Sequence, residues 1–201
     1  MLQKNEDLFV ENRRSVRIET ERLILRCFEE SLDSEAIFRN LVSDPEVARF
    51  MCFDVCKDLN DALKHINSWL EYFSKQNPDS SWNIFSVVNK STDELIGTID
   101  YIENDCEARS AEIGYKIGSA WWGNGYATEA LYALIKYLFE NTDLNRLWAD
   151  HDLRNVASGK VLLKAGMLYE GIARQCYMRK GHLVDKASYA ILREDWVRNN
   201  S

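Results

Sequence analysis

Three runs of alternating or β-branched residues follow one another between positions 82 and 117, with only short polar turns between them. They are Trp82-Asn83-Ile84-Phe85-Ser86-Val87-Val88, then Leu95-Ile96-Gly97-Thr98-Ile99-Asp100-Tyr101-Ile102, then a run in which Ala111, Ile113, Tyr115 and Ile117 alternate with Glu112, Gly114 and Lys116. Three consecutive strands joined by short turns form an antiparallel meander. The third strand leads at once into Ala120-Trp121-Trp122-Gly123-Asn124-Gly125-Tyr126-Ala127-Thr128-Glu129-Ala130. That stretch predicts a strand end, a tight turn and a helix N-terminus in succession. The first N–H groups of a helix have no internal partner, and the helix dipole makes that end positive. Glycines remove the side chains that would keep a ligand from those N–H groups. A phosphate or pyrophosphate is the natural guest.

Around this centre the pattern predicts one domain over residues 17–201, preceded by a loose polar arm over 1–16. Leu23-Ile24-Leu25-Arg26 suits a first strand. Ser31-Leu32-Asp33-Ser34-Glu35 offers helix caps, with Leu32, Ala36, Ile37, Leu41 and Val42 at helical spacing behind them. Asp44-Pro45 punctuates, and a short helical turn runs through Val47 and Phe50. A second helix starts near Asp58 or Asn60. Its apolar face is Leu59, Ala62, Leu63, Ile66, Trp69, Leu70 and Phe73, and Asn77-Pro78-Asp79 ends it. After the glycine turn, Ala127, Ala130, Leu131, Leu134, Ile135 and Leu138 form a helical stripe. A short strand over 144–150 follows, then a helix from Asn155 to Ala165 closed by Gly166. Met167 to Met178 and Asp185 to Leu192 form a last β pair. The order β-α-α-β-β-β-α-β-α-β-β is an α+β or mixed-sheet α/β fold, not a doubly wound parallel sheet.

Composition narrows the function. The 201 residues suffice for one sizeable domain, and nine glycines and two prolines argue against low complexity. A net charge of −7 opposes general nucleic-acid binding, which needs cations, and is compatible with a cationic acceptor such as an amine. Cys27, Cys52, Cys56, Cys106 and Cys176 are odd in number and scattered, as expected of reduced thiols in a cytoplasmic protein. No metal site is expected, since the Cys52/Cys56 pair has no matching partner pair. No apolar run approaches the roughly 20 residues that span a bilayer, so no membrane role is expected.

Other phosphate motifs fit less well. No Gly-x4-Gly-Lys-Ser/Thr run occurs. Gly123 and Gly125 begin a dinucleotide fingerprint, with Asp150 as a possible ribose acid. Thr128 stands where the third glycine belongs, and a meander rather than a βαβ series surrounds it. Two glycines alone could equally make a tight loop. Asn155-Val156-Ala157-Ser158 adds weight to a ligand: it opens a second helix after a second strand, with Asn155 and Ser158 as extra donors.

Read together, these segments resemble the GNAT N-acetyltransferases. The matching residues are Glu112-Ile113-Gly114-Tyr115, Trp121-Trp122-Gly123-Asn124-Gly125-Tyr126-Ala127-Thr128-Glu129-Ala130, and Asn155-x-Ala157-Ser158-x-x-Val161-Leu162-x-Lys164-Ala165-Gly166-Met167 with Glu170-Gly171 behind it. Thr20-Glu21-Arg22-Leu23-Ile24-Leu25-Arg26 and Asp185-x3-Tyr189-Ala190-Ile191-Leu192-x-Glu194-Asp195-Trp196 are also typical. The branch that looks most similar is that of the bacterial ribosomal-protein-alanine N-acetyltransferases, over residues 17–197.

The resemblance implies a mostly antiparallel, twisted central sheet with a V-shaped splay and helices on both faces. It implies acetyl-CoA as co-substrate. The pyrophosphate would lie on the N–H groups of Gly123, Asn124, Gly125, Tyr126, Ala127 and Thr128. The pantetheine arm would pair with Tyr115, Lys116 and Ile117, and donors near Ile117 would polarise the thioester. Asn155 and Ser158 would contact the cofactor from the far side. Two positions depart from the family pattern. Trp122 stands where Gln or Arg usually opens the pyrophosphate signature. Leu162 stands where many relatives place a tyrosine acid, leaving Ser158 or water to protonate the thiolate. Glu112 is the first candidate for the base that frees the amine, and His151 the second. Tyr177 and Tyr189 line the acceptor groove or pack in the core. The acceptor implied is a protein N-terminal amine. A small-molecule amine (polyamine, aminoglycoside or amino-acid derivative) and a non-catalytic acetyl-CoA sensor are the alternatives. The chain is expected to act as a monomer or homodimer.

Overall fold

The computed structural model describes residues 16–75 and 81–200. The expected N-terminal arm lies outside them except for Val16, and so does the Asn77-Pro78-Asp79 stop. The first strand is in fact a hairpin of two, β1 (Arg17–Glu19) and β2 (Leu23–Cys27). The turn between them is fixed by Thr20, whose Oγ1 accepts from the Leu23 N–H at 2.8 Å. Helix α1 (Glu30–Ile37) runs on into a π-helical turn over Phe38–Val42. Helix α2 (Pro45–Ala48) starts behind Asp44, which caps it by accepting from the Glu46 N–H. Helix α3 (Leu59–Lys75) completes this group.

The meander is β3 (Trp82–Asn89), β4 (Glu94–Asp105) and β5 (Ser110–Ile117). Helix α4 (Tyr126–Asn141) follows the glycine turn. Then come β6 (Arg146–Asp152), α5 (Val156–Lys164), β7 (Leu168–Arg179), β8 (His182–Leu192) and α6 (Arg193–Asn200). Gly166, at φ +93°, lets the chain leave α5 sharply while the Met167 N–H closes on the Leu162 carbonyl at 3.1 Å.

All eight strands form one sheet in the order β1-β2-β3-β4-β5-β6-β8-β7. Every pair is antiparallel except β5–β6. This is the mixed, mostly antiparallel sheet the sequence predicts, with helices on both faces. On one face, Leu131, Leu134, Ile135 and Leu138 of α4 are buried against Leu25, Phe85, Val87, Ile99 and Ile113. On the other, α1 and α3 bring Ile37, Leu41, Ala62 and Ile66 together with Leu95, and Phe73 packs on Ile84 and Ile102. Burying a side chain of this size is worth about 1.5–3 kcal/mol, so these two stripes dominate the packing.

A second expectation changes, and one helix was not foreseen. Leu32, placed by its spacing on the buried face of α1, is 60% exposed. Asp33 is turned inward instead, paired with Arg26 at 2.5 Å and accepting from Ser86 Oγ at 2.6 Å. A buried carboxylate with strong donors on both sides rotates the helix away from its apolar periodicity. Helix α6 has no apolar stripe to announce it. It is held by Trp196, whose ring lies 5.2 Å from Tyr132 and 6.0 Å from Phe139. Arg193 anchors its start by donating to the carbonyl of Phe139 in the last turn of α4 and to those of Thr142 and Leu144 just past it.

Candidate active site

The sheet opens at its one parallel pair. β5 and β6 are matched at only three positions, Ser110 with Arg146, Ala111 with Leu147 and Glu112 with Trp148. Past Glu112 both strands continue, but they part. One edge of β5 from Ile113 to Ile117 therefore has no strand beside it, while its other edge stays paired with β4. The result is a slot with a strand edge along one wall, able to pair with an extended, amide-bearing chain. The indole of Trp122 donates to the Ile117 carbonyl at 2.7 Å and closes the far end of that edge.

The glycine turn stands beyond the same end of β5. Gly123 (φ +78°) and Gly125 (φ +83°) are both left-handed, the conformation that glycine alone adopts cheaply. A Cβ on Gly123 would meet nothing within 4 Å, and one on Gly125 would meet only Arg22 Nη2 at 3.5 Å. The glycines are thus fixed by backbone conformation and leave open space over the turn. The first i→i−4 bond of α4 runs from the Glu129 N–H to the Gly125 carbonyl. The N–H groups of Tyr126, Ala127 and Thr128 precede it and have no partner within the helix.

What holds the turn comes from the other end of the sequence. Arg22 donates to the Asn124 carbonyl at 2.9 Å and to Glu129 Oε2 at 2.7 Å, and its guanidinium lies 4.6 Å from the Tyr126 ring centre. Glu129 also accepts from Thr20 Oγ1 at 2.5 Å and from the Arg22 N–H at 3.0 Å. Burial pushes the Glu129 carboxyl up, but the Thr20 and Arg22 hydrogen bonds hold it below the ordinary range. The Thr20-Glu21-Arg22 motif therefore clamps the Gly-Asn-Gly turn to the first hairpin. It also places a cation beside Gly125 in a chain whose position 122 is an apolar indole. Sequence reading quotes Arg22 and Glu129 as family residues without a role; their separation of 107 positions hides the pairing. A half-exposed, multiply bonded ion pair contributes about 1 kcal/mol. Arg22→Ala should accordingly destabilise the fold by about 1 kcal/mol, read from the denaturant midpoint, with Glu129→Gln close behind.

Across the slot, Asn155 caps α5, its Oδ1 accepting from the Ser158 N–H at 3.3 Å. The Ser158 hydroxyl lies 2.7 Å from the Tyr115 hydroxyl, which also donates to the Ser158 carbonyl at 3.1 Å. Tyr115 thus reaches from β5 to α5 over the parting strands. Burial pushes its phenol up to about 12, so it stays a neutral donor at physiological pH. Leu162, one turn further on, is fully buried. His151 lies beneath α5 rather than in the open slot. Its Nδ1 is 2.8 Å from the Asp152 carbonyl, its ring stacks on Tyr189, and its Nε2 sits 2.8 Å from where a Gly159 Cβ would be. Burial lowers its pKa. Tyr189 belongs to the same buried packing. The buried position leaves His151 poorly placed to meet an incoming amine.

The opposite face of the slot is a groove between α3 and the β7–β8 hairpin. Glu112 points into it, on the side of β5 away from Tyr115. Lys116 shares that side, so its ammonium lies 3.8 Å over the Trp69 ring and only its backbone faces the slot. Asp150 on β6 is bridged by Lys186 of β8 at 2.9 Å. Lys186 in turn lies 4.4 Å over the ring of Tyr177. Burial raises the Glu112 carboxyl; Asp150 adds to the rise and Lys186 opposes it. Tyr72 of α3, near enough to Glu112 and Tyr177 to feel their charge, completes the rim. The tip of the hairpin is seated on α2 and the residues after it: Arg179 donates to the Phe50 carbonyl at 2.8 Å and pairs with Asp152, and Lys180 donates to the Ala48 carbonyl at 3.1 Å. Tyr177 is thus a groove residue. Tyr72 and Lys186 escape sequence reading, because a lone polar residue in a strand or helix carries no motif; Asp150, weighed from sequence only as a ribose acid, is instead paired with Lys186 in this groove.

A glycine turn at a helix N-terminus, a free strand edge and a carboxylate-bearing groove meet at one splay, an arrangement that suits a transferase taking an acyl group from a phosphorylated, amide-containing carrier. The comparisons agree. The acetyltransferase (GNAT) domain family matches residues 22–168. The uncharacterised N-acetyltransferase p20 of Bacillus licheniformis is 34% identical over 178 residues, covering 89% of this chain and 97% of its own. A GNAT-family acetyltransferase from Bacillus anthracis superposes with a TM-score of 0.76 at 29% identity, covering 89% of this chain and 99% of its own. The [ribosomal protein uS5]-alanine N-acetyltransferase of Escherichia coli is 28% identical over 116 residues, 56% of this chain and 59% of its own. The chain belongs to the GNAT acetyltransferase family and is an acetyl-CoA-dependent acyltransferase. Among the described residues, no helix is long and apolar enough to cross a membrane.

Proposed function

We propose that the protein acetylates a primary amine by direct transfer and that its acceptor is a protein N-terminus, in a cytoplasmic setting where its five thiols stay reduced. The pyrophosphate of acetyl-CoA rests on the turn from Gly123 to Thr128, and its pantetheine arm pairs with Tyr115 to Ile117. Asn155 and Ser158 border the arm from α5. The acetyl group then meets the groove at Glu112. Glu112 takes a proton from the ammonium, the nitrogen attacks the thioester carbon, and the C–S bond breaks. Ser158, with Tyr115 beside it, is the hydroxyl available to protonate the thiolate; water is the alternative.

The observation that carries the acceptor reading is the raised, carboxylate-rich groove at Glu112. A carboxylate made more basic by burial is better matched to an α-ammonium of pKa ~8, of which about a tenth is already neutral at pH 7. An alkyl ammonium of pKa ~10.4 is neutral about once in a few thousand molecules and would be a far poorer match. The partial resemblance to the uS5-alanine enzyme points the same way. Thiol release from acetyl-CoA should therefore be at least tenfold faster, in kcat/KM, with short peptides bearing a free N-terminal alanine or serine than with spermidine, kanamycin or N-blocked lysine. A reversed order would assign a small-molecule acceptor, and acetyl-CoA binding without release on any amine would mark a sensor.

A further inference from the structure

Asp100 on β4 stands opposite Gly114 of β5, on the groove face of the sheet. Gly114 has no side chain there, and the Asp100 carboxylate fills that space. A Cβ on Gly114 would lie 2.7 Å from its Oδ1 and 3.3 Å from its Oδ2. Gly114 is two residues past Glu112, the last β5 residue matched to β6. The carboxylate therefore rests on the backbone of β5 where the slot opens, on the side from which an acceptor arrives. Among the described residues it makes no hydrogen bond and no ion pair. Glu112 and Lys116 face it from β5 and Tyr72 from α3, while its β3 neighbour is the apolar Ile84. Burial pushes Asp100 up to about 7, with Lys116 pulling it down and Glu112 pushing it further up. An acid placed only to neutralise Lys116 would hold that ammonium. Lys116 feels the Asp100 charge but makes no ion pair with it; its ammonium lies over the Trp69 indole, near Cys52 and His65.

We infer that Asp100 is a second carboxylate of the transfer reaction, clasping the acceptor ammonium together with Glu112 and taking one of the two protons that nitrogen must lose. The inference rests on the amine-acceptor reading above. An ammonium sheds one proton to become a nucleophile and a second as its tetrahedral adduct becomes an amide. Glu112 takes the first. The nitrogen lone pair forms the C–N bond, and the C–S pair leaves with the sulfur, which is protonated from the α5 side or by water. Asp100 takes the second proton from nitrogen and later returns it to solvent. The two carboxylates titrate as a coupled pair, so the acid side of the pH profile belongs to both.

Asp100→Asn tests this with an Ala-initiated tetrapeptide as acceptor. The expected result is a fall in peptide kcat/KM of tenfold or more at pH 7. Acetyl-CoA affinity should stay within twofold. The acid limb should become a single ionisation at lower pH, since the Asp100 ionisation, which Glu112 pushes up, is gone. A profile and kcat/KM within twofold of the parent would overturn the inference. So would a loss that is uniform across pH and restored by Lys116→Met in the same chain, which would make Asp100 a counter-ion. A carboxyl 13C titration reads the site without turnover: n-propylammonium chloride should lower the Asp100 midpoint, and an unmoved midpoint also overturns the inference. Parent enzyme that releases no thiol with any amine contradicts the function proposed above, and the titration then decides Asp100 separately.

Discussion

Gly125→Glu should remove measurable acetyl-CoA binding, seen as loss of the calorimetric signal at concentrations that saturate the parent. Two effects combine. Gly125 sits at φ +83°, where any side chain costs about 1–2 kcal/mol. The new carboxylate would also stand where three helix N–H groups gather an anion, and like charges about 4 Å apart near a protein surface repel by about 4 kcal/mol. Together these are worth a factor of about a thousand or more in affinity. Gly125→Ala isolates the first effect, because the only atom its Cβ would meet is Arg22 Nη2 at 3.5 Å. Its loss should stay near tenfold. If Gly125→Glu binds acetyl-CoA as the parent does, the turn is not the pyrophosphate site.

Glu112→Gln should lower kcat about a hundredfold at pH 7 while leaving acetyl-CoA affinity unchanged. The sign of its pH dependence follows from the groove. Burial raises the Glu112 pKa, so the base form appears at higher pH than for an ordinary glutamate, and the parent's activity rises as pH climbs through that titration. The variant keeps Asp100 but frees it from one like charge, so its residual acid limb should move to lower pH. A variant whose pH–rate profile overlays the parent's would remove Glu112 from the proton path. Asp100, and His151 despite its place under α5, would then be the remaining candidates.

How far the sequence reads depends on the range of each interaction. The meander, the glycine turn, the α4 stripe and the Gly166 cap were all legible, because each is a local pattern of period, φ or cap. The turn from Gly123 to Thr128 was legible for the same reason, since left-handed glycines before a helix advertise free N–H groups. The first hairpin was read as one strand because Thr20 makes its turn without glycine or proline. Asp33 displaced Leu32 through a contact with Arg26 and Ser86 that no periodicity encodes. The groove was the least legible part. Asp100, Asp150, Lys186 and Tyr72 lie on four different elements, and only the sheet order brings them around Glu112. Glu112 was found through its neighbours in the family motif, and the role of Gly114 beside it became visible only once Asp100 was seen lying on its backbone.

The sheet order also constrains how the molecule is made. β8 follows β7 in the chain yet lies between β6 and β7. During synthesis β7 emerges first, with no strand to join. It then carries an open hydrogen-bonding edge and side chains such as Leu168, Ile172 and Met178, which remain 59%, 47% and 59% exposed even in the finished fold. Until β8 slots in, this segment has the makings of an aggregation seed. The hairpin turn at Lys180 and Gly181, both left-handed, sets β7 and β8 up to pair locally and enter the sheet as a unit. A substitution that weakens that turn should therefore reduce the yield of soluble protein more than it reduces the stability of the molecules that fold.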